Sequence, residues 1–249
     1  MTHLKRRAPA VPGSIPDVLN MFESEVRFYR EIAPYVGVRV PECYQAESGP
    51  DGTLLVLEDL SAWTPGVDPV AGARALRDLH DRWTGQAHER WPWLRPLGAA
   101  EDLVAQLYDR TWPTLATRRD LSTPVREFGE RLVGKVVEAE RAVSRAGALT
   151  LVHGDASAQN LRTSPDGEVA FLDWEDVSAA PGVLDLAWFL VSSVDSADWP
   201  DALDAYGEAD GLTAVLPSVA VQGYLSMSDL PEGSADGWIA RLEAAVGML

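Results

Sequence analysis

The stretch from residue 149 to 188 constrains the chain more than any other. A short apolar run, Leu149-Thr150-Leu151-Val152, leads into His153-Gly154-Asp155, and Asn160 follows five positions after the aspartate. A second apolar run, Val169-Ala170-Phe171-Leu172, ends on Asp173, and Asp185 lies in Leu184-Asp185-Leu186-Ala187-Trp188. Ser164-Pro165-Asp166-Gly167 between them is a turn cluster, so residues 160–163 and 169–172 are expected to form a short hairpin. An aspartate just past a buried strand can be held rigidly toward a cleft. An asparagine at the start of the next strand can bring an amide oxygen to the same space, and Asp173 adds a second carboxylate. These are hard oxygen ligands of the kind Mg²⁺ takes together with substrate phosphates. One carboxylate can instead accept a proton from a hydroxyl nucleophile. Such parts suit phosphoryl transfer, where catalysis is mostly positioning and charge neutralisation.

The polar hairpin is flanked by segments of helical period. Apolar spacing predicts helices over 69–84, 99–117 and 123–146 before it, and helices with acidic loops from 183 to the end. Upstream, Ser14 and Pro16 read as a helix start. Val18, Phe22, Glu25, Phe28, Tyr29 and Ile32 continue one helix toward Pro34. Two extended runs, 40–46 and 53–58, are joined by a turn cluster at 47–52, and Pro- and Gly-bearing sequence at 63–69 marks a lobe boundary. A small β-rich unit, residues 1–62, therefore precedes a larger helical one, residues 63–249.

Composition narrows the partners. With 38 acidic and 21 basic residues the net charge is −17, which repels phosphate backbones and anionic lipid, so neither nucleic acid nor membrane is an expected partner. The lone Cys43 forms no internal disulfide and lacks companions for a zinc site. A reducing compartment is expected. The basic start is followed by Ala8-Pro9-Ala10-Val11-Pro12-Gly13 and no apolar run, so the cytoplasm is the expected location. Only Lys5 and Lys135 are lysines, and any chemistry that needs one has two candidates.

The pattern H-G-D-x-x-x-x-N, then D-W-E at the end of a strand, then D-L-A-W on a helix, closely resembles the aminoglycoside phosphotransferase family of small-molecule kinases. The resemblance is strong over 150–190 and looser elsewhere. Glu25-Val26-Arg27-Phe28-Tyr29-Arg30-Glu31 is similar to that family's small-lobe helix, residues 54–60 to its strand and nucleotide hinge, and Ala75-Leu76-Arg77-Asp78-Leu79-His80 to the helix opening its large lobe. The implied fold class is α+β, a bilobal protein-kinase-like fold with a truncated small β-rich N-lobe and a larger, mainly helical C-lobe. The implied activity moves a phosphate from ATP or GTP to a hydroxyl of a small molecule with Mg²⁺. Asp155 would be the catalytic base or the residue that orients the hydroxyl, and Asn160 and Asp173 the metal ligands. Glu58 and Leu60 would belong to the hinge that holds the base through the backbone. Glu25 would pair with Lys5. Asp185 would brace the catalytic loop, and His153 would shape it.

Several of these residues also have plainer readings. Glu25 can be a solvated helical charge, Lys135 a surface residue and His80 a packed one. Trp188, one turn after Asp185, is expected to pack its helix; Trp63, Trp91 and Trp93 either line an acceptor pocket or pack loops. The acidic surface would suit a cationic acceptor such as an aminosugar, docked between residues 83 and 123 and the C-terminal helices; sugars, amino alcohols and natural products are also open.

The chain departs from the family pattern at its start. Four residues before Lys5 cannot build the two-strand hairpin that covers the nucleotide phosphates. Backbone bonds to charged phosphate oxygens contribute roughly 1.5–3 kcal/mol each. Three readings are open: a chain that continues upstream, a kinase with a weakened grip, or a fold turned to a non-kinase reaction or to ligand binding. Retention of Asp155, Asn160 and Asp173 together argues against the last.

Overall fold

The computed structural model describes residues 1–249. Strand β1 (Thr2–Arg7) is followed by helices α1 (Ile15–Val18) and α2 (Met21–Arg27), then the hairpin β2 (Cys43–Gly49) and β3 (Gly52–Glu58). The three strands form an antiparallel sheet in the order β1-β3-β2, with Lys5 opposite Leu55. Side chains alternate across a strand, so His3, Lys5 and Arg7 share one face. On that face Lys5 and Arg7 are half-buried, while Leu4 and Arg6 on the other are exposed.

Sequence spacing predicts one helix where the structure has three pieces. The chain breaks at Leu19-Asn20, where Asn20 adopts a left-handed conformation (φ 52°), and α2 continues into a wide π turn over Phe28–Ile32. The break lets α2 turn its buried face, Ser24, Glu25 and Val26, inward without carrying the exposed Ile15 and Val18 with it. Glu25 is thus buried and not a solvated charge.

The short strand β4 (Thr64–Pro65) leads to α3 (Pro69–Trp83), α4 (Ala87–Arg90), α5 (Glu101–Leu115), α6 (Thr123–Leu132) and α7 (Val136–Ala142). The single helix expected over 123–146 is also divided. Val133 leaves helical geometry and Gly134 takes φ +71°, a left-handed helix stop that glycine makes without strain. Lys135 is exposed there. Strands β5 (Leu149–Val152), β6 (Leu161–Thr163), β7 (Val169–Phe171) and β8 (Ser178–Pro181) follow, then α8 (Val183–Ser193), α9 (Trp199–Tyr206), α10 (Leu212–Ser228) and α11 (Asp236–Gly247). β6 and β7 form the expected hairpin with β4 on its edge, and β5 pairs with β8. One continuous apolar core runs from Val26, Phe28 and Leu57 through Leu76 and Leu79 to Leu186, Val215 and Leu242. No helix is long and apolar enough to cross a membrane.

Candidate active site

The loop after β5 is built around a buried carboxylate. Asp185 on α8 accepts the backbone N–H of His153 at 2.6 Å and of Gly154 at 2.9 Å, and lies 3.2 Å from His80 Nε2. His80 Nδ1 lies 2.9 Å from the Tyr206 hydroxyl, so a line of polar contacts joins α9, α3, α8 and the loop. Burial pushes the Asp185 carboxyl up, but the hydrogen bond and charge of His80, with the loop amides, more than offset it, and it lies below the usual carboxylate value. Gly154 is required here for two reasons: its φ is +87°, and a side chain would collide with the backbone of Asp176.

That loop presents Asp155 with both oxygens engaged. Trp188 donates its indole N–H to Oδ1 at 2.6 Å, and Asn160 donates from Nδ2 to Oδ2 at 2.8 Å and to the Asp155 carbonyl at 3.0 Å. With Nδ2 committed to two oxygens, the amide oxygen of Asn160 is the atom left for a ligand. His153 accepts the Asp155 N–H at Nδ1 (3.2 Å) and so donates from Nε2 to the Leu172 carbonyl (2.8 Å). It ties the loop to the end of β7 and is a structural residue.

At the end of that strand Asp173 is one of two non-glycine residues with positive φ, 59°. Such backbone persists where the surroundings over-determine it. Here the buried Trp174 stacks on Phe28 at 4.0 Å between ring centroids. The turn brings the Asp173 carboxylate against the face of β1: Lys5 Nζ lies 2.6 Å from Oδ1 and 2.7 Å from Glu25 Oε2. Burial raises the Glu25 carboxyl despite Lys5, and burial with the neighbouring Asp173 charge pushes Glu175 up to about 7. Arg7 Nη2 lies 2.6 Å from Glu175 Oε2, yet that oxygen and Arg7 Nε are both buried without a hydrogen-bond partner. The contact is ionic and poorly aligned. Oxygens of Glu25, Asp173 and Glu175 all lie within 4.8 Å of one another, facing two cations.

Two cavities meet at the Asp155–Asn160 pair. The first, of about 430 Å³, is lined by Lys5, Glu25, Glu58, Leu60, Asn160 and Asp173, with His3, Tyr29 and Leu57 beside them. Six of the seven residues singled out from sequence share it. Asp155 borders the second, of about 360 Å³, between the loop at 95–100, α5 and α10. Glu58 lines the first cavity with its side chain otherwise occupied: the carboxylate holds Arg39 at 2.6 Å through both oxygens and accepts the Glu42 N–H at 3.0 Å. The Leu60 amide has no partner in the chain.

Trp188 packs, as its spacing predicts, and it also donates to the carboxylate of Asp155, which spacing does not show. Arg7 and Glu175 belong to the same cluster: Arg7 lies two positions from Lys5 on β1, the spacing that keeps side chains on one strand face, whereas Glu175 lies past the end of β7 in a tight helical turn that strand spacing does not reach. His80 is packed in the buried network. Trp91 packs on Trp83, Trp93 donates to Glu31 at 2.7 Å, and Trp63 lies under Arg39. None of the three borders the second cavity.

Residues 16–224 match the model of a family described as the phosphotransferase enzyme family. No curated protein sequence matches the chain significantly. Among solved structures, an aminoglycoside phosphotransferase from Streptomyces rimosus superposes with a TM-score of 0.63 at 18% identity, over 90% of this chain and 86% of its own. The same protein in complex with ADP and streptomycin gives 0.55 at 16%, over 98% and 86%. A choline kinase from Streptococcus pneumoniae gives 0.61 at 16%, over 99% and 84%. At such identities the likeness establishes the bilobal α+β kinase-like fold.

Proposed function

Since the chain belongs to the phosphotransferase enzyme family and is a small-molecule kinase, we propose that it moves the γ-phosphate of ATP or GTP to a hydroxyl of a small molecule with Mg²⁺. The observation that carries this reading is the junction of two cavities at one hydrogen-bonded pair, Asp155 and Asn160. A nucleotide in the first would place its phosphates toward Lys5, and an alcohol in the second would meet Asp155.

The donor set fits the metal. Asn160 offers a free amide oxygen and Asp173 a second carboxylate oxygen that Lys5 does not use. These are hard oxygens of the type Mg²⁺ prefers, few enough to leave room for water and phosphate. The ion would supply charge neutralisation on the phosphates. Lys5, held between Glu25 and Asp173, presents its ammonium group to the same space. The Leu60 amide and the backbone beside Glu58 are the proposed contacts for the nucleotide base. Asp155 orients the acceptor hydroxyl and takes its proton as the new oxygen–phosphorus bond forms. Trp188 and Asn160 hold that carboxylate in one direction while it does so.

The test is a screen of alcohols for phosphate incorporation with ATP and GTP. Transfer to at least one alcohol is expected, with Asp155→Asn lowering kcat by about 10²- to 10⁴-fold and leaving nucleotide affinity unchanged. Transfer that survives Asp155→Asn would remove the proposed base.

A further inference from the structure

The second cavity combines apolar walls with a few charged side chains. Its walls are largely aliphatic: Ile15 and Leu19 from the N-terminal side, Leu103 and Leu107 on α5, Leu225 on α10, with Trp188 at the floor. Only four charged side chains border it: Arg95, Glu140, Asp155 and Asp176. Arg95 and Asp176 neutralise one another, Nη2 lying 3.2 Å from Oδ1. Asp155 is held by Trp188 and Asn160. Neither Asp155 nor Glu140 has a cationic partner, and Glu140 is the less engaged of the two. One of its oxygens accepts the Ser218 hydroxyl at 2.7 Å, and the other has no hydrogen bond within the chain. The nearby acid Glu101 is already paired with Arg141. Burial raises the Glu140 carboxyl more than Ser218 lowers it, so its charged form lacks compensation from the protein.

Resting on the phosphotransferase reading, we propose that the acceptor is a compact alcohol with a mainly apolar body and a single ammonium group, its hydroxyl at Asp155 and its ammonium at Glu140. A cation beside Glu140 supplies the partner that the chain withholds. A polycation would bring several ammonium groups to a cavity with one free carboxylate. Ser178, Gln222 and Ser226 are the only uncharged polar side chains on the walls, fewer than the several hydroxyls of a sugar need, and a buried hydroxyl without a partner costs roughly 1–3 kcal/mol. The expectation of an aminosugar, drawn from overall acidity, narrows at this cavity: of its three acids Asp176 is paired with Arg95 and Asp155 is the proposed base, which leaves Glu140 as the carboxylate for a cation.

Two fixed anchors also imply a preferred length. Calorimetric binding of linear ω-amino alcohols from pentyl to octyl, of the matching 1-alkanols and of glucosamine reads this directly. The measurement uses the wild-type protein and Glu140→Gln, in which the amide oxygen can still accept from Ser218. One chain length is expected to bind best, with its alkanol roughly tenfold or more weaker. Glu140→Gln should bring that amino alcohol to the level of the alkanol and leave the alkanol unchanged. Glucosamine should bind more weakly than the preferred amino alcohol. Equal binding of alcohol and amino alcohol, equal losses for both in Glu140→Gln, tighter binding of glucosamine, or binding of none of the series would overturn the assignment. Adding Mg²⁺ and ATP or GTP separates the two claims. The expected binding pattern without phosphorylation would sink the transfer reading and keep the pocket assignment; phosphorylation indifferent to Glu140 would do the reverse.

Discussion

Asp155 receives an N–H on each carboxylate oxygen, one from a side chain five residues on and one from a helix facing it. A carboxylate gripped at both oxygens cannot swing, and its remaining lone pairs point in set directions. Trp188 is therefore a positioning residue. Trp188→Phe keeps the ring and deletes the donor; hydrogen bonds to charged groups contribute roughly 1.5–3 kcal/mol. We predict a fall in kcat of about tenfold or more, with nucleotide KM nearly unchanged and the melting temperature lowered by only a few degrees, read by steady-state kinetics and thermal melts. A changed nucleotide KM with constant kcat would contradict this. That Asp155, Asn160 and Asp173 lie close together was legible from residue spacing, because short loops keep them near one another. Spacing could not reveal that Trp188 turns its N–H toward Asp155, because one turn of helix suits packing and hydrogen bonding equally well.

At the scale of elements, the loop after β5 is held by a carboxylate that lines neither cavity. Asp185 satisfies two loop amides and His80, and His80 reaches Tyr206. Asp185→Ala would strand two buried N–H groups and an imidazole. Removing one partner of such a buried network costs about 3–5 kcal/mol, read by denaturant unfolding. A loss under about 1 kcal/mol would show that the loop is held by other contacts. Helix interiors and the two hairpins were readable from period and turn residues. The breaks at Asn20 and Gly134 were not, since the apolar spacing continues through both. Asn20 lacks the glycine or proline that marks a stop, and a glycine inside a periodic run is often tolerated.

Across the whole molecule, Arg118 ties the turn before α6 to the loop between α10 and α11. Its guanidinium donates to the carbonyls of Met227, Leu230 and Pro231, and to Asp120, which also accepts the Gly233 N–H. The hydrogen bond from Arg118 holds the Asp120 carboxyl down at about 2, against about 3.9 in an unfolded chain. A depressed carboxylate stabilises the fold above its unfolded value, and that contribution is lost as pH falls toward the folded one. Asp120→Asn should therefore be less stable by about 1–2 kcal/mol at neutral pH, with the difference from wild type shrinking between about pH 4 and pH 2. A deficit constant over that range would mean the clamp is steric. No spacing rule could find a link between positions so far apart in sequence. The bilobal arrangement, by contrast, was legible because the change from strand period to helical period falls near one Pro- and Gly-bearing stretch.

The central claim is that Lys5, Glu25, Asn160 and Asp173 form a site for a metal-bound nucleotide next to an independent base. Calorimetric titration of ATP and GTP, with Mg²⁺ and with chelator, tests it on the wild type, Asp173→Asn and Asp155→Asn. At least one nucleotide is expected to bind in a manner that requires Mg²⁺, is lost in Asp173→Asn and persists in Asp155→Asn. Nucleotide binding that ignores both Mg²⁺ and Asp173, or no binding to the wild type, would contradict it.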